Sequence, residues 1–175
     1  SQTDGAGEVE GCATASSAVS GAGAHFDDAF ELHRDATAAG VQLSEASYTS
    51  LLRICGARGQ LAEGRALLAE LTARRGPGAD PPRLRTFLPL LEAASREGDC
   101  ASAFVLYDEI LSFELLVGER EYVLLLAAAT AAQDAERAGQ VTREGVDWAC
   151  RTRAYDSRRC AVVGGCLLYA FSRAW

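Results

Sequence analysis

The sequence lacks several residue types and spacings that would mark other classes of protein. All 17 basic residues are arginine, and methionine and asparagine are also absent. The six cysteines include no Cys-x-x-Cys pair, which argues against a structural zinc site. The apolar run at residues 160–171 is shorter than the ~20 residues that a membrane-spanning helix needs. Neither a zinc module nor a membrane span is therefore predicted.

Patterns that carry catalytic chemistry are missing too. The sequence has no Gly-rich phosphate loop, no Ser-His-Asp or Cys-His arrangement and no spacing typical of metal ligands. The adjacent acids Asp27-Asp28 and Asp108-Glu109 point to different faces of a helix, so they make poor acid/base pairs. We therefore predict a protein with no enzymatic activity, no cofactor and no bound metal.

The composition favours a helical domain with a large core. The chain has 175 residues, of which 49% are hydrophobic, so it can fold without disulfides. Ala, Leu, Glu and Arg are abundant and β-branched residues are sparse, which favours helices. The net charge is −7, and the acidity is concentrated in residues 1–44, where seven acids face one arginine. The rest of the chain is nearly neutral.

An internal repeat of about 35 residues is the strongest pattern in the chain. Aromatic residues recur at spacings of 39 and 35 residues, at Tyr48, Phe87 and Tyr122. Small residues recur at spacings of 35, 39 and 35, at Ala29, Gly64, Ala103 and Ala138. Two independent markers with matching periods predict an all-α fold, an α-solenoid of about three helix-turn-helix repeats.

Helical periodicity and turn residues divide the chain into three parts. Residues 1–24 are expected to be a flexible, acidic arm rich in Gly, Ala and Ser. Residues 25–143 are expected to be the repeat domain, and residues 144–175 an irregular tail that is apolar and rich in arginine. The predicted helices cover residues 26–39, 45–57, 61–74, 84–96, 100–111, 119–132 and 134–143.

Several segments carry a resemblance to a known family. Glu45-Ala-Ser-Tyr48-Thr-Ser-Leu-Leu, followed by Gly59-Gln-Leu-Ala-Glu-Gly, has the rhythm of the pentatricopeptide repeat (PPR) family. Gly40-Val-Gln-Leu-Ser44, Pro82-Arg-Leu-Arg85 and Gly98-Asp99 resemble, more narrowly, the PPR domain of protein-only ribonuclease P. That organellar enzyme trims the 5′ leaders of tRNA. The aspartate cluster and the zinc site of its other domains have no counterpart here.

The resemblance implies an RNA-binding surface. In PPR proteins, the fifth residue of the first helix and the last residue of the unit read a base, and the second residue stacks on it. Leu88 and Val123 occupy two of the fifth positions and cannot hydrogen-bond a base. The matching positions that can contact RNA are Thr49, Arg83, Arg85 and Arg120.

Two interpretations of these arginines remain open at this point. Arg85 and Arg120 could meet bases or phosphates, or they could pair with Glu119, Glu121 or Glu92 on a solvated face. The first interpretation predicts a non-catalytic module that binds tRNA-like or other organellar RNA, or an adaptor. The alternative is a scaffold subunit of a large organellar complex, such as a ribosome or an energy-converting assembly. Both predict a mitochondrion or a plastid as the location.

The tail is predicted to make contacts with other molecules. An apolar run of this size is rarely left exposed, so we expect it to be buried against a protein partner or the end of the solenoid. Contact with a membrane surface through the nearby arginines is an alternative. The candidate partner-binding residues are Trp148, Val162, Leu167, Leu168, Tyr169 and Phe171.

Overall fold

The structure, a computed structural model, describes the backbone of residues 16–73 and 81–151 and the side chains from residue 26 onward within these ranges. The described part contains seven α-helices and no β-strand. The chain divides into two compact units, Ser1–Gln42 and Leu43–Trp175. The all-α prediction is thereby confirmed.

The first unit contains a single described helix, α1 (Ser16–Ala38). It begins earlier than predicted, because the run Gly21-Ala22-Gly23 does not interrupt it. Glycine weakens a helix but keeps the backbone N–H that proline lacks, so hydrogen bonding continues through the run. The helix ends as predicted at Gly40, whose φ of 72° allows the N–H of Val41 to reach the carbonyl of Ala36 at 2.9 Å.

The described part of the second unit contains three helical hairpins. Its helices are α2 (Glu45–Arg58), α3 (Leu61–Ala73), α4 (Leu84–Glu97), α5 (Cys100–Ser112), α6 (Glu119–Ala131) and α7 (Ala135–Arg151). The first helices of the hairpins pack side by side, α2 on α4 and α4 on α6. The second helices form another layer, in which α3 contacts α2 and α4, and α5 contacts α4 and α6. This arrangement confirms the predicted solenoid.

Each hairpin turns at the same repeat position, where one residue has a left-handed conformation. Gly59 and Gly98 occupy it in the first two hairpins, with φ of 70° and 71°. Gln133 occupies it in the third, with φ of 56°. In all three turns the next N–H bonds a carbonyl of the last helical turn at 2.9 Å. The turn is therefore set by backbone geometry, and only two of its three copies have glycine.

The repeated aromatic residues lie in the core, and so do the small residues Gly64, Ala103 and Ala138, whereas Ala29 on α1 is only half-buried. Tyr48 and Phe87 are fully buried and Tyr122 is 9% exposed. At Gly64, an added Cβ would lie 2.3 Å from Cδ2 of Leu90. At Gly56, it would lie 2.4 Å from the backbone oxygen of Pro89. These glycines allow neighbouring helices to approach more closely than any side chain would permit.

The last helix is longer than predicted, and its end revises the proposed boundary at residue 143. α7 continues to Arg151 and buries Gly145 and Ala149. A Cβ added at Gly145 would lie 3.5 Å from Cγ of Tyr122, and the indole of Trp148 packs on the same ring at 6.1 Å between centroids. The first residues of the predicted tail therefore belong to the third repeat, because α7 continues through them and Trp148 packs on Tyr122 of α6.

Candidate nucleic-acid interface

A groove runs across the layer formed by α2, α4 and α6. Its volume is about 390 Å³. Four arginines, one from each end helix and two from α4, contribute to its wall, and Glu92 is the one acid among the lining residues. We call this surface the arginine groove; its lining residues are Arg53, Gly56, Ala57, Arg85, Leu88, Pro89, Glu92, Arg96 and Arg120.

Next to the groove, the carboxylate of Glu45 joins the first two repeats. Glu45 is only 4% exposed. Nε of Arg85 donates to Oε1 of Glu45 at 3.2 Å, and Nη2 of Arg85 forms an ion pair with Oε2 of Glu45. The hydroxyls of Thr86 and Thr49 donate to Oε1 at 2.6 and 3.0 Å. A buried acid is stable here because four donors compensate for its lost hydration.

These contacts perturb the acidity of Glu45. The hydrogen bond from Arg85 is the largest cause, and those from Thr86 and Thr49 add to it, so that the pKa of Glu45 falls to about 2. Burial acts in the opposite direction and is outweighed. Glu45 is therefore ionised throughout the physiological range, and it holds the guanidinium of Arg85 against α2.

Arg120 is also engaged by a carboxylate. Its Nη2 forms an ion pair with Oε1 of Glu92, which connects α6 to α4. Glu92 is one of the three acids that were predicted as possible partners of this arginine. The Arg120 side chain is 66% exposed, so this pair contributes little to stability. The same guanidinium keeps most of its donors available to solvent.

The predicted base-reading pair, Thr49 and Arg83, is split by the fold. Thr49 is 5% exposed, and its hydroxyl donates to Glu45 inside the protein instead of facing the groove. Arg83 is exposed at the start of α4, where its backbone N–H donates to the hydroxyl of Thr86 at 3.2 Å. Neither residue lines the groove. Thr49 has no hydroxyl proton left for a base edge.

Two groove arginines were not predicted from the sequence. Arg53 lies one turn before Gly56 on α2, and Arg96 lies near the end of α4. Arg53 could have been found from the repeat spacing. It is the equivalent, 39 residues earlier, of Glu92, which the sequence had already placed on the same face as Arg85 and Arg120. Arg96 could not be found in this way, because its equivalent in the first repeat is Ala57.

The predicted partner-binding residues lie mostly beyond the described part of the chain. Trp148 is half-buried against Tyr122 and so belongs to the third repeat. The other five candidates, Val162, Leu167, Leu168, Tyr169 and Phe171, fall outside the described residues.

The described residues contain neither a metal site nor a membrane-spanning helix. Within residues 16–73 and 81–151, no group of three or more His, Cys, Asp or Glu side chains has the arrangement of a metal site. No described helix is both long enough and apolar enough to cross a membrane.

Stacked helical hairpins with a groove across their first helices define a helical-repeat protein of the PPR type. The family model for the pentacotripeptide-repeat region of PRORP matches residues 9–146. The chain belongs to this family. No curated protein gives a significant match to its sequence.

Solved structures share the fold. The PPR domain of Arabidopsis thaliana protein-only RNase P 1 (PRORP1), solved in complex with tRNA, superposes with a TM-score of 0.64 at 18% identity, over 81% of this chain and 69% of that one. Nuclear proteinaceous RNase P 2 (PRORP2) from A. thaliana also gives 0.64, at 22% identity over 68% of this chain. The match spans 25% of the PRORP2 chain.

Proposed function

We propose that this chain is an RNA-binding helical-repeat module and that the arginine groove is its binding surface. The observation that carries the proposal is the set of four guanidinium groups that line one groove with a single carboxylate among them. A concave, basic surface attracts the phosphates of RNA. Membership of the PRORP repeat family supports this function, and a folded, tRNA-like RNA is the ligand class that we propose.

We propose further that recognition depends on the RNA backbone and shape more than on base edges. Thr49 is buried, and Leu88 and Val123 are apolar, so none of the three fifth positions presents a hydrogen-bonding group to the groove. Guanidinium groups, by contrast, bind phosphates and stack on bases of any identity. Binding should therefore tolerate changes of sequence that preserve the fold of the RNA.

The direct test is a titration of a fluorescent tRNA transcript with the purified chain, followed by anisotropy at several salt concentrations. Binding should weaken as salt rises, because each phosphate contact releases counterions. Arg120→Gln should bind more weakly than Arg143→Gln on α7, which loses the same charge, because Arg120 lines the groove and its only ion pair within the described part of the chain is solvent-exposed. Absence of any binding at low salt would contradict the proposed function.

The contribution of this chain is proposed to be binding without chemistry. We expect it to leave precursor tRNA uncleaved in the presence of Mg²⁺, since the described residues contain no cluster of metal-binding acids. Gel analysis of a labelled precursor, with a complete protein-only ribonuclease P as positive control, checks this. Specific removal of the 5′ leader by the chain alone would show that it carries a catalytic site.

A scaffold role in a larger assembly is the second candidate. Leu116 is 90% exposed and Leu111 is 48% exposed, both at the end of the second hairpin. Burial of these two apolar side chains against a protein partner would be favourable. Purification from the native source after nuclease treatment distinguishes the candidates: a protein partner that remains bound supports the scaffold. An organellar location stays a prediction.

A further inference from the structure

The four arginines of the groove fall into two pairs that differ in their engagement. Arg85 and Arg120 are each in an ion pair with a carboxylate, from Glu45 and Glu92 respectively. Arg53 makes no ion pair or side-chain hydrogen bond with any residue of the described part of the chain. Arg96 forms a longer ion pair with Glu97, at 3.9 Å between Nη2 and Oε1, without a hydrogen bond. The positive charge of the groove is therefore least compensated at Arg53 and at Arg96.

Arg96 is held in place by a neutral partner. Its Nη2 donates to the backbone carbonyl of Gly56 at 2.7 Å. That carbonyl belongs to the last turn of α2, where it accepts only a long contact of 3.4 Å from the N–H of Gly59. A guanidinium has five N–H donors, so one bond to Gly56 orients Arg96 and leaves the others available. The guanidinium of Arg96 is thus fixed in position, and its ion pair with Glu97 is too long to include a hydrogen bond.

Arg53 is placed on the same wall of the groove. It precedes Gly56 and Ala57 by three and four residues, so all three share one face of α2, and all three line the groove. The neighbouring wall is formed by Leu88 and Pro89 of α4, which present no side-chain donor or acceptor. A ligand group that enters here meets two cations and an apolar surface, which suits a phosphate with an attached sugar.

We infer that Arg53 and Arg96 form a phosphate-binding subsite within the arginine groove, which holds the sugar–phosphate backbone of RNA. The inference rests on the proposed RNA-binding function. Neither residue occupies a position that the PPR pattern assigns to base recognition or stacking. The planar guanidinium fork matches the oxygens of a phosphodiester, and two such forks on one wall bind a segment of backbone irrespective of its bases.

The test uses Arg53→Gln, Arg96→Gln and the double variant of the full chain. Arg143→Gln is the matched control. It removes the same charge, but Arg143 is exposed on α7 and lies outside the groove. Each variant is titrated with a tRNA transcript across a salt series. Each groove substitution should weaken binding roughly tenfold, as expected for the loss of a charge-assisted hydrogen bond. The slope of log K against log salt should also fall by about 0.7–0.9 per arginine, while the control keeps the slope of the parent chain.

Substitution by lysine supplies a second measurement. Arg53→Lys retains the charge and should keep the salt slope, although it loses the bidentate geometry and binds more weakly. Thermal unfolding verifies that each variant is folded. If Arg96→Gln unfolds because it loses the bond to Gly56, the subsite is tested by Arg53→Gln alone, since that substitution breaks no bond in the described structure.

The outcomes separate this inference from the function on which it rests. If the parent chain binds tRNA and Arg53→Gln changes neither the affinity nor the slope, the subsite is wrong and the RNA-binding function stands. Weaker binding with an unchanged salt slope would also overturn the subsite, because the lost contact would not be with a phosphate. If the parent chain itself fails to bind RNA, both the function and the subsite are wrong.

Discussion

Glu45 shows how one side chain can connect two repeats. It lies at the start of α2, and it receives hydrogen bonds from Arg85 and Thr86 at the start of α4. Thr49, one turn further along α2, closes the cluster. Because the partners are about 40 residues apart in the chain, these bonds form only when the first two hairpins are stacked. The carboxylate therefore stabilises the stacking itself.

The first prediction concerns the pH dependence of this cluster. The pKa of Glu45 is about 2 in the folded chain and rises to its ordinary value near 4.5 on unfolding. A folded pKa below the unfolded one means that the ionised carboxylate stabilises the fold, fully above pH ~4.5 and progressively less as the pH falls toward 2. We expect Glu45→Gln to lower the free energy of unfolding at pH 7 by on the order of 3 kcal/mol. The variant should also lose less stability than the parent chain between pH 4.5 and pH 2.

Urea unfolding of both proteins between pH 2 and pH 7 measures this effect. Glu136→Gln is the control, because Glu136 is an exposed acid on α7. If the two variants showed the same dependence on pH, Glu45 would not be the group responsible.

A second residue-scale prediction follows from the turn of the third hairpin. Gln133 has a φ of 56° in a position where the other two hairpins have glycine. A residue with a Cβ is strained in this conformation, and the exposed Gln133 side chain makes no hydrogen bond within the described part of the chain. Gln133→Gly should therefore stabilise the chain by roughly 0.5–1 kcal/mol. Thermal unfolding of this variant beside Gln140→Gly, inside α7, checks it: the second substitution should destabilise.

At the scale of helices, the spacing between layers is set by small residues. Gly64 on α3 faces Leu90 of α4 and Cys55 of α2. Ala103 on α5 and Ala138 on α7 occupy the same place in the next repeats and are also buried. Since a larger side chain at any of these positions must displace a packed neighbour, the series keeps the two layers at a constant distance.

The third prediction tests this series. Gly64→Leu and Ala103→Leu should each destabilise the chain by roughly 1–3 kcal/mol through overpacking. Ala62→Leu is the matched control, because Ala62 lies on α3 as well and is exposed. Chemical unfolding of the three variants measures the difference. Equal stability of Gly64→Leu and Ala62→Leu would mean that position 64 is not at the contact between helices.

At the scale of the molecule, the distribution of charge matters more than its sum. The chain carries a net charge of −7, which taken alone argues against RNA binding. The groove nevertheless has four arginines and one glutamate in its lining. Local potential at a concave surface attracts an anionic ligand even when the total charge is negative, and salt weakens that attraction.

The fourth prediction concerns the apolar run at residues 160–171, which lies outside the described part of the chain. We expect a chain truncated after Arg159 to lose its co-purifying partner while the repeats stay folded, since α2 to α7 are complete without this run. Affinity purification, with circular dichroism to monitor the helices, measures both properties. A truncated chain that keeps its partners and its thermal stability would show that the run is dispensable.

Local sequence signals determined most of the helices of this protein and their order. The boundaries of α2 to α6 follow from apolar periodicity and from turn signals such as Gly59 and Gly98, all of which act within about one helical turn. The recurrence of Tyr48, Phe87 and Tyr122 then determined the stacking, because equivalent residues of identical hairpins pack in equivalent places.

Tertiary structure decided which polar groups face the groove. The same repeat register that placed Thr49 at a base-reading position could not show that Thr86 of the next repeat contacts both Thr49 and Glu45. Nor could it show that the carbonyl of Gly56 holds Arg96. These contacts join residues 37 to 41 positions apart, so they depend on the distance and rotation between stacked helices. Local sequence signals extend over only a few residues and do not determine that geometry.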